Sequence, residues 1–124
     1  MDIQGKCAAI VGGASGMALA SLKELMKHGA KAAILDLPSS KGAEVAAELG
    51  ITFHPCDVMD AEGTEQALND AVEAMGGLHI GINTAGGGHA RKTLNKEGAY
   101  PLDDFRRIIE LNLIASFNIN RLMA

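Results

Sequence analysis

A glycine-rich turn is the first feature of this sequence whose residue types and spacing could support chemistry. Gly12, Gly13 and Gly16 follow the short apolar run Cys7–Val11 and precede a segment with helical spacing of apolar residues. Such a turn between a buried strand and a helix presents backbone N–H groups to an anion, and the helix N-terminus adds partial positive charge. No Gly-Lys-Ser/Thr triplet follows, which excludes a P-loop NTPase. We predict a phosphate cradle, although a plain strand-to-helix turn would have a similar sequence.

Asp36 strengthens this prediction. It ends the second apolar run, which begins at Lys31, and it lies 20 residues after Gly16. Dinucleotide-binding folds place an acidic residue at this position, where its carboxylate accepts hydrogen bonds from hydroxyls of the adenosine ribose. The same negative charge repels a 2′-phosphate, so we predict NAD rather than NADP as the cofactor. An aspartate that only caps a helix or closes a turn is the alternative.

Polar and small residues also follow the third and fourth apolar runs. After the third run, Asp57 could accept a hydrogen bond from an adenine amino group, and Val58 could pack against the ring. Turn formation alone would account equally well for Asp57. The fourth run is followed by four residues that would let the backbone approach a sugar: Asn83, Thr84, Ala85 and Gly86. Since open parallel sheets bind ligands beyond the carboxyl ends of their strands, these loops are predicted to meet in one site.

Alternating strands and helices are needed to bring these loops together. The predicted strands are Cys7–Val11, Lys31–Leu35, Ile51–Cys56 and Leu78–Ile82. The predicted helices cover 17–28, run from Ser39 or Ser40 to Leu49 and from Asp60 to Met75, and, after a glycine-rich loop over Gly86–Gly98, start again near Pro101. Strict alternation with short buried strands predicts an α/β fold, a doubly wound parallel sheet of Rossmann topology with strand order 3-2-1-4.

The last helix is predicted to carry an apolar stripe with polar members. The stripe consists of Phe105, Ile108, Ile109, Asn112, Ser116 and Ile119. A buried amide needs hydrogen-bond partners, and an asparagine bonded to backbone carbonyls in the core is the ordinary interpretation of Asn112. In the preceding loop, Arg91, Lys92 and Lys96 form a small basic cluster, which is usually solvated but could attract an anionic substrate group.

Composition limits the classes of protein to consider. The chain has 124 residues, 48% hydrophobic and 21% charged, with a net charge of −4, which fits one globular domain over 1–124. Scattered cations and 3% aromatic residues argue against nucleic-acid binding, and no window approaches the ~18 apolar residues of a membrane span. No metal site is predicted, because the histidines are dispersed and Cys7 and Cys56 stand alone as buried, reduced thiols. No signal or transit peptide is recognisable, so a cytoplasmic location is expected.

Taken together, these residues resemble the short-chain dehydrogenase/reductase family over essentially the whole chain. Val11–Ala18 is similar to the family's TGxxxGxG turn, and Asn83–Gly86 is similar to its NNAG element. Asp57 resembles the family's adenine-binding acid, and Asn112 resembles its active-site asparagine. The four elements occur in the family's order and in the expected strand and loop context, which makes the resemblance specific.

The resemblance implies an NAD-dependent oxidoreductase that converts a secondary alcohol to a ketone. Leu35–Ser40 and Lys92–Gly98 are similar to the branch of type 2 3-hydroxyacyl-CoA dehydrogenases, which implies a 3-hydroxyacyl-CoA or steroid-like substrate. The implied cofactor contacts are pyrophosphate at Gly12, Ser15, Gly16 and Met17, ribose at Asp36 beside Leu37, and adenine at Asp57 and Val58. Asn112 would hold a water in the catalytic proton relay, and the complete enzyme would be a homo-oligomer.

Several positions depart from the family's pattern. Val11 replaces a threonine, and Ala18 and Ala115 stand where glycine is usual. The family's catalytic serine and Tyr-x-x-x-Lys pair have no counterpart in these residues. The only tyrosine is Tyr100, and four residues later stands Asp104 rather than lysine.

We therefore expect the chain to be the N-terminal, NAD-binding half of such an enzyme. Residues 1–124 alone should be inactive, because general-base catalysis needs a positioned base. They should not form a well-behaved monomer either, since the fourth strand would be a bare edge and the last helix would expose part of Phe105, Ile109 and Ile119. Two alternatives remain: a non-catalytic dinucleotide-binding module, and an S-adenosylmethionine-dependent methyltransferase, against which Asn83–Gly86 and Asp57 argue.

Overall fold

The structure, a computed structural model, describes all 124 residues and shows strands and helices in strict alternation at first. The first seven elements are β1 (Cys7–Val11), α1 (Gly16–Lys27), β2 (Lys31–Asp36), α2 (Gly42–Leu49), β3 (Thr52–Pro55), α3 (Ala61–Met75) and β4 (Ile80–Asn83). They are followed by β5 (Leu94–Asn95), β6 (Gly98–Ala99), α4 (Leu102–Ile109), a π-helical segment (Glu110–Ile114) and α5 (Ala115–Met123).

The main sheet has four parallel strands in the order β3-β2-β1-β4, which confirms the predicted topology. Strand β1 pairs with β2 on one edge, where Cys7 is opposite Lys31, and with β4 on the other, where Val11 is opposite Asn83. Every residue of β1 is buried. A strand covered on both faces and both edges must be apolar throughout, which explains the continuous run rather than an alternating pattern.

Side chains from the two faces of the sheet form two separate cores. On one face Cys7, Ala9 and Val11 pack with residues of α3 and with Ile119 of α5. On the other face, Ala8 and Ile10 pack with residues of α1 and α2, including Leu22 and Ala46. Successive strand residues point to opposite faces, so β1 contributes to both cores in turn.

Several predicted boundaries differ from the structure, among them both ends of β3, which covers Thr52–Pro55 rather than Ile51–Cys56. Helix α2 starts at Gly42 after Lys41, and Ser40 contributes only a hydroxyl that accepts a 3.1 Å hydrogen bond from the Gly42 N–H. Strand β4 begins at Ile80 rather than Leu78. In contrast, Asp60 caps α3 as predicted, with its side chain accepting a hydrogen bond from the Gly63 N–H.

The glycine-rich loop contains a small antiparallel hairpin, β5–β6, that the sequence did not indicate. Each of its strands has two residues, which is too short for a period-two pattern to be recognised. Arg91 holds the hairpin to α4, because its guanidinium lies 3.5 Å from the Glu97 carboxylate, 3.7 Å from the Asp104 carboxylate and 5.7 Å from the centre of the Tyr100 ring.

The last helix differs most from its prediction. It starts after Pro101 as expected, but the π-helical segment interrupts it and makes one wide turn. Ala115 is buried and Leu111 and Ser116 are half-buried there, whereas Asn112 is exposed. The predicted burial of Asn112 is therefore wrong, because its side chain is exposed. Phe105 is exposed as predicted, at 51%, whereas the predicted exposure of Ile119 is wrong, because this side chain is fully buried.

Other predictions concern cysteines, metals and membranes. Cys7 and Cys56 are both buried free thiols. No three His, Cys, Asp or Glu side chains come together in a group that could hold a metal ion. None of the helices combines the length and the apolar character that a bilayer-spanning helix requires.

The half-buried His54 in β3 generates a prediction about stability and pH. Its Nε2 lies 3.0 Å from the Thr52 Oγ1. Burial lowers the pKa of His54 below its ordinary value of 6.5, and the Asp70 carboxylate opposes part of that shift. Below pH 6.5 this histidine is therefore protonated more in the unfolded chain than in the folded chain. The free energy of unfolding should decrease as the pH falls from 6.5 to the pKa of His54 in the folded chain.

Replacing this histidine should remove that part of the pH dependence. Denaturant unfolding between neutral and mildly acidic pH should show a flatter profile for His54→Gln than for the unmodified chain. The variant Asp70→Asn serves as a control, because it removes the carboxylate that favours the charged imidazole and should lower the pKa of His54 further. A profile that is equally steep in His54→Gln would contradict this account.

Candidate functional site

A cleft of about 510 Å³ lies at the carboxyl ends of the parallel strands. The residues that line it include eleven predicted cofactor contacts: Gly12, Ser15, Gly16, Met17, Asp36, Leu37, Asp57, Val58, Thr84, Ala85 and Gly86. Loops that follow four different strands thus meet in one cavity, as the alternating pattern predicted. Asn83 and Asn112 are the two predicted site residues that do not line it.

Backbone geometry explains the glycines of the first turn. Gly12 has φ +78° and Gly16 has φ +58°, values that other residues rarely adopt. A Cβ on Gly12 would lie 3.0 Å from the Thr84 Oγ1 and 3.1 Å from the Ala85 nitrogen, whereas a Cβ on Gly16 would meet nothing within 4 Å. Gly12 is therefore needed both for the turn and for the close approach of the loop after β4.

Asp36 connects the end of β2 to this turn. Its Oδ2 accepts a 3.0 Å hydrogen bond from the Ala14 N–H, and its Oδ1 accepts a 2.8 Å hydrogen bond from the Leu37 N–H. Each carboxylate oxygen has a second lone pair, so the group retains acceptor capacity for a ligand. The carboxylate lies on the wall of the cleft in an orientation that the protein itself fixes.

Cys56, Asp57 and Val58 line the cleft beyond β3. The Asp57 Oδ1 accepts a 2.9 Å hydrogen bond from the Met59 N–H, so this residue does form the turn that the sequence left open as an alternative. Burial raises the pKa of the Cys56 thiol, and the nearby Asp57 carboxylate adds to that effect. Because the thiol stays protonated at neutral pH, Cys56 is part of the cleft wall and is not an activated nucleophile.

Asn83 shapes the loop after β4 without facing the cleft. Its Oδ1 accepts a 3.0 Å hydrogen bond from the Ala85 N–H, and its Nδ2 donates a 3.3 Å hydrogen bond to the Ser116 Oγ. The loop is also joined to β1, since the Thr84 N–H donates to the Val11 carbonyl at 3.1 Å. This backbone bond connects the two loops although Val11 lacks the usual threonine hydroxyl.

Asn112 fixes the next part of that loop. Its Oδ1 accepts a 3.0 Å hydrogen bond from the Gly87 N–H, and its Nδ2 donates to the carbonyls of Gly87 at 2.7 Å and Ile108 at 3.0 Å. The asparagine is bonded to backbone groups, as expected of a structural asparagine, but on the surface. It connects the loop after β4 to the π-helical segment.

Arg107 and Leu111 line the cleft and were missed by the sequence analysis. They lie four residues apart, and residues with that spacing share one side of a helix. Recognising them would have required the position of this helix against the sheet, which local pattern does not give.

A family comparison fits this geometry. The model of the family described as short chain dehydrogenase matches residues 6–124. The chain belongs to the short chain dehydrogenase family. Ala18 and Ala115, which stand where glycine is usual in this family, are both buried and fit into the packed structure.

Individual relatives point to one branch of short chain dehydrogenases. The chain is 43% identical over 127 residues to the 3-hydroxyacyl-CoA dehydrogenase type-2 of Bos taurus, covering 99% of this chain and 49% of the relative. It is 44% identical over 119 residues to the protein of the same name from Drosophila melanogaster, covering 93% of this chain and 47% of the relative. The chain thus spans about half the length of the curated relatives it matches.

Solved structures show the same fold. A dehydrogenase/reductase from Sinorhizobium meliloti 1021 superposes with a TM-score of 0.85 at 32% identity, covering 98% of this chain and 50% of that one. An NADPH-dependent 3-quinuclidinone reductase from Rhodotorula rubra superposes with a TM-score of 0.82 at 28% identity, covering 98% of this chain and 47% of that one.

Two matched glycine substitutions test the geometry of the turn. Gly16→Ala should lower the free energy of unfolding by about 1–2 kcal/mol, the cost of a left-handed backbone for a residue with a Cβ. Gly12→Ala should cost more, by an additional ~1–3 kcal/mol, because its Cβ also crowds Thr84 and Ala85. Denaturant unfolding measures both values. Equal losses would contradict the close approach of the two loops.

Proposed function

We propose that this chain supplies the NAD-binding part of a dehydrogenase that oxidises a secondary alcohol to a ketone. The observation that carries the proposal is the carboxylate of Asp36, which the Ala14 N–H of the glycine-rich turn fixes on the wall of the cleft. A carboxylate at this place suits a ribose with free hydroxyls and disfavours a 2′-phosphate. Membership of the short chain dehydrogenase family supports the reaction type.

The residues of the cleft fit a dinucleotide. Ser15 precedes α1, and its side chain makes no capping hydrogen bond, so its hydroxyl is available to a phosphate at the helix N-terminus. Gly16 leaves the turn open to the pyrophosphate, because a Cβ at this position would meet no atom of the protein within 4 Å. We assign pyrophosphate to Gly12, Ser15, Gly16 and Met17, ribose to Asp36 and Leu37, adenine to Asp57 and Val58, and the second ribose to Thr84, Ala85 and Gly86.

The nicotinamide, when bound, accepts a hydride from the substrate carbon. The residues of this chain bind and orient the cofactor for that transfer. We assign Asn112 a positioning role, because both of its amide hydrogens are already used by backbone carbonyls. Its Oδ1 accepts one hydrogen bond, from the Gly87 N–H, and the second lone pair of this oxygen could hold a water in a proton relay. We further propose that the substrate is a 3-hydroxyacyl-CoA, in keeping with the names of the relatives.

A dinucleotide-binding module without catalysis is the second candidate. It is compatible with these residues, because they contain no Tyr-x-x-x-Lys pair. Hydride transfer to NAD⁺ by the complete protein that carries this chain distinguishes the two candidates. Production of NADH from a 3-hydroxyacyl-CoA supports the dehydrogenase, and tight NAD⁺ binding without turnover supports the module.

We propose that the complete protein is a homo-oligomer. Large apolar side chains are exposed along α4, the π-helical segment and α5, including Phe105 at 51%, Leu113 at 63% and Phe117 at 67%. Each side chain of this kind left in water forgoes about 1.5–3 kcal/mol of burial free energy. A second copy of the chain that covers this face would recover part of it.

Charge on that face should therefore dissociate the oligomer. In the complete protein, Phe117→Asp should shift the sedimentation coefficient toward that of a monomer, because a carboxylate cannot be buried in an apolar contact at low cost. Ala74→Asp places the same charge on an exposed position of α3 and should leave the oligomer intact. If both variants sediment like the unmodified protein, this face does not hold the subunits together.

Cofactor preference tests the assignment of Asp36. Asp36→Asn keeps an oxygen that can accept from the Ala14 N–H but removes the negative charge. In the complete enzyme it should lower kcat/KM for NAD⁺ by about tenfold and raise it for NADP⁺, because the repulsion of the 2′-phosphate is lost. Asp57→Asn is the matched control, which should weaken both cofactors alike. An unchanged ratio of kcat/KM for NAD⁺ and NADP⁺ in Asp36→Asn would show that the ribose assignment is wrong.

A further inference from the structure

A second, smaller cavity adjoins the nucleotide cleft. It has a volume of about 240 Å³ and is lined by His89, Tyr100, Asp104, Arg107 and Ile108. Arg107 also lines the main cleft, so one guanidinium stands at the boundary between the two cavities. Nothing in the cofactor assignments above uses this residue.

Arg107 is an unneutralised charge at that boundary. It is the only lysine or arginine that lines either cavity, and its guanidinium forms no ion pair or hydrogen bond within the protein. The carboxylate of Asp104, three residues earlier, is directed to Arg91 at 3.7 Å instead. Arg91 is mostly buried between Asp104, Glu97 and the Tyr100 ring, so it balances Asp104 and leaves Arg107 free to attract an anion.

We propose that Arg107 binds the terminal 3′-phosphate of the coenzyme A part of the substrate, seated in the second cavity while the dinucleotide occupies the main cleft. This inference rests on the proposed function, because it names a subsite for the proposed acyl-CoA substrate. A guanidinium donates paired hydrogen bonds that match the oxygens of a phosphate. Tyr100 and His89, whose side chains carry further hydrogen-bond donors, also line this cavity.

The terminal phosphate fits this subsite better than the pyrophosphate of coenzyme A. A phosphomonoester carries close to two negative charges at neutral pH, so a single arginine attracts it more strongly than a phosphodiester oxygen. A cavity of about 240 Å³ also accommodates a terminal group more readily than the middle of a long molecule. The 2′-phosphate of NADP has the same chemistry, but Asp36 in the main cleft opposes it.

The test compares coenzyme A with dephospho-coenzyme A, which differ only in the 3′-phosphate. Calorimetry on the complete protein, saturated with NAD⁺, should give a Kd about tenfold lower for coenzyme A than for the dephospho form. In Arg107→Gln this preference should disappear. Arg106→Gln is the matched control, because Arg106 is paired with Asp103, lines neither cavity and should keep the preference.

Three results would overturn the proposal. One is a preference for coenzyme A that persists in Arg107→Gln, and another is no preference in the unmodified protein. The third is a change in the ratio of NADP⁺ to NAD⁺ affinity in Arg107→Gln without a change in the coenzyme A preference, which would assign Arg107 to the cofactor. Failure of the unmodified protein to bind NAD⁺ would instead overturn the proposed function, and repeating the coenzyme A comparison without NAD⁺ would still decide the role of Arg107.

Discussion

The complete burial of β1 is the constraint on which the rest of this structure depends. The strand is covered by helices on both faces and by parallel strands on both edges, so each of its five residues must be apolar and small enough to fit. Its carboxyl end therefore reaches a fixed point beside the ends of β2 and β4. The turn at Gly12 starts from that point, and the cleft exists because neighbouring loops converge on it.

Polar side chains then fix the loops relative to one another. Asp36 joins β2 to the glycine-rich turn, Asn83 orders the start of the loop after β4, and Asn112 holds its continuation against the last helix. Each of these contacts ends on a backbone N–H group, so the same geometry would be hard to obtain from apolar packing. The acidic and amide residues near the cleft thus serve the architecture as well as any ligand.

Local sequence pattern was sufficient for most of the fold and for the parts of the cleft that follow the four parallel strands. The strands, the glycine-rich turn and Asp36 could be predicted, because buried apolar runs and turn residues carry their signal within a few positions. The hairpin, the π-helical segment and the place of Arg107 could not, since they depend on contacts between Arg91 and α4 and on the docking of a helix against the sheet. Ile119 was misplaced for the same reason: a helix with apolar residues on several sides does not reveal which side is inward.

The hydrogen bonds of Asp36 and Asn112 have a consequence for how a ligand would be received. Both side chains are oriented by protein groups alone, so the loops they hold are ordered before any ligand arrives. The conformational entropy of these loops is therefore lost when the chain folds and not when a ligand binds. A preorganised cleft loses little conformational entropy when a ligand binds, so more of the free energy of each contact contributes to affinity. The same hydrogen bonds of Asp36 and Asn112 therefore contribute both to the rigidity of the cleft and to the stability of the domain.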